Sequence, residues 1–246
     1  MGGRLEGKHA LVTGAARGIG AGIAQRFVEE GARVLAADIR KDQGETLARS
    51  LGKQASFREF DVTDPSAWQQ LVKEMSDDPI DVLVNNAGAV VSFASLHEVD
   101  PEEWRRIVDL NLNSVFYGMR YMIPAMIASG KGGVVVNMSS IAGSVGIAVA
   151  PAYSAAKAGV RILSKGAALA YATQGIRVNT IHPGLINTPM VEEQPQWATD
   201  GFLASTPMKQ MGTPLDVAGA AVYLASDEAR FVTGAEIAVD GGYLAQ

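Results

Sequence analysis

Along the chain, short runs of apolar and β-branched residues alternate with longer stretches of mixed polarity. HALVTG leads into GIGAGIAQRFVEEG, ARVLAADI into a helical pattern around residues 42–51, and SFREFDV follows. IDVLVNNAG then precedes a long helix predicted from about Pro101 to Ala128. GGVVVNMSS precedes a helix carrying Tyr153, GIRVNTIHPG a helix from about Pro214, and AEIAVDGG ends the series. Strands that are apolar almost throughout, each followed by a helix, predict a mainly seven-stranded parallel sheet covered on both faces. In such a doubly wound α/β fold, ligands bind beyond the carboxyl ends of the strands. The one long stretch without clear periodicity, residues 188–212, is expected to be a lid or binding loop.

Composition narrows the function without changing this picture. The 246 residues, 48% hydrophobic and 19% charged, contain no linker-like block, so residues 1–246 are expected to form one domain. Acidic residues outnumber Lys plus Arg by 26 to 21 with no basic cluster, which argues against nucleic acid and for a small-molecule partner. The absence of cysteine removes disulfides, thiolate nucleophiles and cysteine-ligated zinc, and His9, His97 and His182 are too scattered to suggest a metal site. The N-terminal segment lacks a signal-peptide pattern, Glu6 stands where a myristoylation signal needs Ser or Thr, and no apolar run reaches membrane-spanning length. A cytoplasmic location is expected.

The predicted strand ends carry the chemistry. TGAARGIG places Gly14, Gly18 and Gly20, with Arg17 and Ile19 among them, at the first strand-to-helix turn. Glycines there let the backbone approach a pyrophosphate, whose charge meets the amides of the following helix. The second strand ends at Asp38, which could bond the adenosine ribose hydroxyls and repel a 2′-phosphate, favouring NAD over NADP. Arg17, Arg40 and Lys41 are nearby cations that could hold such a phosphate, and Asp38 could instead cap the next helix. Asp61 and Val62, at the third strand end, suit an adenine ring, and NNAG, with Asn86 and Gly88, ends the fourth. In YSAAK, Tyr153 and Lys157 lie four residues apart on one helical face, where an ammonium could lower the pKa of a phenol.

Together these motifs resemble the short-chain dehydrogenase/reductase family over essentially the whole chain. The matching residues are TGAARGIG, Asp61, NNAG, Asn111 in DLNLNSVF, Ser140 in VVVNMSS, YSAAK, the segment from Pro183 to Thr188, and VDGG. Ser140 stands thirteen residues before Tyr153. The resemblance implies a Rossmann fold and a metal-free reaction in which hydride passes between substrate carbon and nicotinamide. It makes Tyr153 the acid/base, Lys157 the residue that tunes it and holds the nicotinamide ribose, Ser140 the holder of the substrate oxygen, and Asn111 the anchor of a proton-carrying water. Pro183, Gly184, Ile186 and Thr188 resemble the positions around the carboxamide. His182 receives no proton-transfer role and is expected to be structural.

Val90, Val91, Phe93, the segment Ser144 to Val149, Met190, Trp197, Phe202 and Met208 are the substrate-side candidates. Their apolar character predicts a hydrophobic secondary alcohol or ketone. RVNTIHPG, STPM and VTGAEIAVDGGY look most like bacterial hydroxysteroid and cyclic-alcohol dehydrogenases. The alternatives are a reductase of 3-oxoacyl-carrier-protein substrates, which would show a basic patch at the entrance, and a catalytically silent NAD-binding regulator or scaffold. The resemblance, with apolar helices at 101–128 and 151–174, also implies a homo-oligomer, specifically a tetramer.

Overall fold

A computed structural model describes residues 2–90 and 93–246. The elements in order are β1 (His9–Thr13), α1 (Gly18–Glu29), β2 (Arg33–Asp38), α2 (Lys41–Leu51), β3 (Ala55–Glu59), α3 (Pro65–Glu74), β4 (Val82–Asn85), α4 (Pro101–Val108), α5 (Ser114–Ala128), β5 (Gly133–Met138), α6 (Pro151–Tyr171), β6 (Ile176–Pro183), α7 (Pro189–Glu192), α8 (Gln196–Ser205), α9 (Pro214–Ala225) and β7 (Glu236–Val239). All seven strands pair in parallel in the order β3-β2-β1-β4-β5-β6-β7, giving the Rossmann-type sheet that the sequence predicts.

The central strands β1, β2, β4 and β5 are buried on both faces, which is why they read as continuous apolar runs instead of alternating ones, while the edge strands β3 and β7 are partly exposed. Successive side chains still point to opposite faces. Ala10, Val12, Val34, Ala36, Val82 and Val84 pack into a core with Ile23 and Phe27 of α1 and Val217, Ala221 and Val222 of α9. Leu11, Leu35, Leu83 and Val135 point the other way, against Trp68 and Leu71 of α3, Met122 and Met126 of α5 and Val160 of α6. The sheet runs outward from β1 in both directions, so the crevice between the ends of β1 and β4 is the topological switch point.

The elements depart from the sequence reading in four places. The helix predicted across 101–128 is interrupted by a π-helical turn at Asp109–Asn113, and Asn111 lies inside it. β3 ends at Glu59, so Asp61 and Val62 lie in the turn beyond it. Asp61 Oδ1 there accepts from Thr63 N at 2.8 Å and from Thr63 Oγ1 at 2.7 Å. α3 lies where the pattern assigned nothing; its start is an Asp64 cap accepting from Ser66 N, with Pro65 in the first turn. The stretch 188–212 contains α7 and α8, of 4 and 10 residues, the first starting at Pro189 and the second capped by Pro195.

Candidate active site

Backbone geometry fixes the floor of the switch-point crevice. Gly14 has φ +63°, and a Cβ on it would fall 2.8 Å from Ala87 Cα, so the loops after β1 and β4 touch there. Asn86 ties them together, its Nδ2 donating to Thr13 O at 2.8 Å while Asn86 N donates to Thr13 Oγ1 at 3.0 Å. These contacts hold two segments far apart in sequence as one surface.

Above that surface lies a cavity of about 360 Å³. It is lined by Gly14, Arg17, Gly18, Ile19, Asp38, Asp61, Val62, Asn86, Gly88, Ser140, Tyr153, Lys157, Pro183, Gly184, Ile186 and Thr188. Thus all but two of the residues expected to bind cofactor or react meet in one place. Gly20 is behind the wall, since a Cβ on it would stand 2.2 Å from Gly14 O. Asn111 is the second exception. It is fully buried, with Nδ2 donating to Ala89 O and Ile107 O at 3.0 Å each and Oδ1 accepting from Ala89 N at 3.2 Å. Both of its amide protons are committed to bracing the loop after β4 against the π-turn, so the acceptor capacity left on Oδ1 is what its side chain retains for a water.

Asp38 is 5% exposed, at the end of β2. Its Oδ2 accepts from Ala16 N at 3.0 Å, and its Oδ1 accepts from Arg40 N at 2.9 Å and lies 3.4 Å from Arg40 Nη1. Arg40, not Asp38, occupies the cap position of α2, so the competing helix-cap reading fails. Arg17 also has a partner, which sequence reasoning missed. Its guanidinium forms a two-pronged bond to Glu193 just beyond α7, with Nη1 to Oε1 at 2.6 Å and Nη2 to Oε2 at 3.3 Å. Arg17 holds the Glu193 carboxyl below its usual range, and Arg40 acts in the same direction more weakly.

Three segments assemble the reactive end. Ser140 follows β5 and starts a tight turn, Ile141–Gly143, with Ser140 Oγ accepting from Ala142 N at 3.1 Å. That turn lies directly on α6. A Cβ on Gly143 would be 2.6 Å from Ser139 Oγ and 2.8 Å from the Lys157 carbonyl, and Ser139 Oγ itself donates to Lys157 O at 2.9 Å. Tyr153 and Lys157 share one face of α6, as their spacing predicts, with Lys157 Nζ 5.6 Å from the Tyr153 ring centroid.

The electrostatics run against the sequence expectation. Burial raises the Tyr153 pKa above its ordinary 10.0, opposed by a hydrogen bond with Ser140, and Lys157 does not reverse this. Lys157 is 3% exposed, and burial lowers its own pKa to about 8. Its Nζ donates to Met138 O at 2.9 Å. The ammonium is therefore costly to hold in the free site and is positioned on a carbonyl instead of the phenol oxygen.

On the substrate side, Val90, Phe93, Ile147, Met190 and Phe202 line the cavity, joined by Leu185 and Val191. Val91 falls outside the described residues. Trp197 and Met208 do not line the cavity, being 59% and 63% exposed; Trp197 stacks edge-on against Phe93 with 5.8 Å between centroids. Of the segment Ser144 to Val149 only Ile147 reaches the lining.

The family model described as enoyl-(acyl carrier protein) reductase matches residues 14–244. The chain belongs to the short-chain dehydrogenase/reductase family. It is 45% identical over 251 residues to the NADP-dependent (R)-specific alcohol dehydrogenase of Lentilactobacillus kefiri, covering 99% of each chain. It is 42% identical to a 3-alpha-(or 20-beta)-hydroxysteroid dehydrogenase of Mycobacterium bovis, covering 100% of this chain and 92% of that protein. A crystal structure of a family member from Burkholderia xenovorans superposes with a TM-score of 0.93 at 39% identity, covering 99% of both chains. As a family member, the protein is a nicotinamide-dependent oxidoreductase of CH–OH groups. Among the described residues, no helix is long and apolar enough to cross a membrane.

Proposed function

We propose that the cavity takes NAD(H) and that Ser140, Tyr153 and Lys157 serve hydride transfer between it and a hydrophobic secondary alcohol, or the corresponding ketone. The observation that carries this reading is the convergence of Ser140, Tyr153 and Lys157 in a cavity that also holds the glycine-rich turn and Asp38. The residues present fit the cofactor. Gly14 and Gly18, with φ +63° and +59°, leave a floor without side chains, and the Asp38 carboxylate faces the cavity at a strand end. Bound nicotinamide supplies the hydride acceptor or donor.

The chain's own residues then do the following. Ser140 donates a hydrogen bond to the substrate oxygen, and the Tyr153 hydroxyl gives its proton to a ketone or takes one from an alcohol. Lys157, held on Met138 O, stabilises negative charge developing on the phenol oxygen and reaches the ribose. Asn111 braces the Gly88 loop against Lys157; a Cβ on Gly88 would lie 2.7 Å from Asn111 Oδ1 and 3.2 Å from Lys157 Nζ. A catalytically silent scaffold would not need this phenol and ammonium in one cavity.

Asp38 supports NAD over NADP, and the cations nearest it support the same choice because each already has a carboxylate partner, Arg17 in Glu193 and Arg40 in Asp38. The apolar lining by Val90, Phe93, Ile147, Met190 and Phe202 supports a cyclic or steroid-like alcohol. Residues 188–212 act as the lid. They carry Glu192, Glu193 and Asp200 against Lys209 alone, a net negative charge that opposes an acidic carrier protein. The protein works in the cytoplasm as one domain and assembles as a tetramer, an assembly favoured by exposed Phe116 on α5 and Ile162 and Leu169 on α6. Absorbance at the reduced-nicotinamide band, with NAD or NADP and a panel of cyclic alcohols, tests the activity. No turnover of any cyclic alcohol with either cofactor would overturn the substrate reading.

A further inference from the structure

His182 is the second-to-last residue of β6 and is 1% exposed, immediately before Pro183 of the cavity wall. Its Nδ1 lies 3.2 Å from the Ser140 carbonyl oxygen and 3.2 Å from Ser144 Oγ. Its Nε2 lies 3.0 Å from Thr180 Oγ1 and 3.9 Å from Glu236 Oε2. One ring therefore holds both ends of the turn that presents the Ser140 hydroxyl, and ties that turn to β6 and β7. Beyond the ring, Glu236 accepts from Arg161 Nε at 2.7 Å and pairs with Lys165, so the same chain of contacts returns to α6, the helix of Tyr153 and Lys157.

We propose that His182 is a positioning residue for Ser140, fixing the turn from beneath so that the hydroxyl keeps its place beside Tyr153. The inference rests on the role given to Ser140 above. The proposal takes the tautomer with the proton on Nδ1: a carbonyl oxygen only accepts, so this form alone bonds Ser140 O, and Nε2 then accepts from the Thr180 hydroxyl in place of that hydroxyl's 3.3 Å contact to Ala235 O. Burial lowers the His182 pKa, against the opposing pull of Glu236, which favours the neutral ring that this arrangement needs. Ser140 O already accepts from Gly143 N at 2.9 Å within the turn, and the imidazole adds a contact from the turn to β6 beyond the bond from Ser139 N to Ile181 O at 2.9 Å. The scale of such an effect follows from orientation, where an error of about 1 Å at a reacting group costs on the order of 100-fold in rate.

The tautomer makes the proposal separable from simple packing. Asn at 182 can place an amide N–H near the position of Nδ1, whereas Gln extends its amide toward Nε2 and Thr180. Steady-state kinetics with NAD and a cyclic alcohol that turns over, alongside thermal unfolding and NADH-binding fluorescence, should show His182→Gln losing about tenfold or more in kcat with NADH affinity intact. His182→Asn should recover most of that loss even if both variants unfold at the same temperature. Equal kcat in the two variants, or a loss that tracks only their unfolding temperatures, would overturn the proposal. Ser140→Ala is the control for the reading beneath it. If that variant keeps full turnover, the assigned role of Ser140 fails; if it is impaired while Asn and Gln at 182 do not differ, only the His182 inference fails.

Discussion

Lys157 Nζ stands 5.6 Å from the Tyr153 ring centroid and 2.9 Å from the Met138 carbonyl, so the cation of the pair is anchored to β5 and not to the phenol oxygen. In the free site burial therefore dominates both groups, raising the phenol and lowering the ammonium. Ultraviolet difference titration of the cofactor-free protein should show no tyrosine ionising below the ordinary 10.0 that disappears in Tyr153→Phe. A phenolate signal near neutrality lost in that variant would contradict the raised pKa of Tyr153.

Tyr153→Phe removes one oxygen and should leave the fold and NADH affinity intact while abolishing most turnover. Retained kcat within about tenfold, a barrier change near 1.4 kcal/mol, would exclude Tyr153 as acid/base. Lys157→Met should weaken NADH binding as well as kcat, because the ammonium is assigned to the ribose and to the developing phenolate together.

The Lys157 shift also fixes a sign for stability. Between about 8 and its ordinary 10.5 the unfolded chain holds a proton on Lys157 that the native chain has released. The unfolded state then binds more protons, so this group makes the native state more stable as pH rises through the window and less stable as pH falls through it. Urea unfolding midpoints of wild type and Lys157→Met, compared across that window, should differ in slope, with the variant lacking the rise. Parallel slopes would mean that Lys157 titrates normally.

Cofactor choice should respond to two acids, one at a strand end and one beyond the lid helix α7. Asp38→Ala removes a ribose acceptor and frees Arg40, so it should weaken NAD and improve NADP. Glu193→Gln leaves Asp38 in place but releases Arg17, so kcat/KM for NADP should rise by about tenfold, the effect of a charge-assisted contact worth about 1.5 kcal/mol. A wild-type preference for NADP would move the emphasis from Asp38 to Arg17 and Arg40.

Gly88→Ala should harm activity more than stability. The added methyl group would press on Asn111 Oδ1 and Lys157 Nζ, and a flexible lysine end can yield only by leaving its place beside Tyr153. Thermal unfolding and kcat measured on the same preparation check the ordering.

Light scattering at micromolar concentration should report a tetramer, and Leu169→Glu should reduce the assembly if the α6 surface is covered by another copy. Leu169 is 85% exposed, so the substitution costs little within one chain. A wild-type monomer would refute the assembly.

The sequence by itself determined the parallel sheet, because strands buried on both faces must be apolar at every position, and Leu11 and Val12 satisfy opposite faces in one run. It also determined the glycine-rich floor of the cavity, since a turn as close as that at Gly14 excludes any Cβ, and the shared face of Tyr153 and Lys157, since helical spacing is a local property. The helix break at Asp109–Asn113 stayed hidden because Asn111 is held there by Ala89, a contact made only after β4 and α4 have packed. Tertiary structure alone decided that Glu193 meets Arg17, 176 positions away, and that His182 lies under Ser140, 42 positions away. It decided the direction of the Tyr153 and Lys157 shifts as well. Spacing shows which charges can be neighbours, but the sign depends on how much water and which carbonyls surround them, and only the assembled sheet and helices supply those.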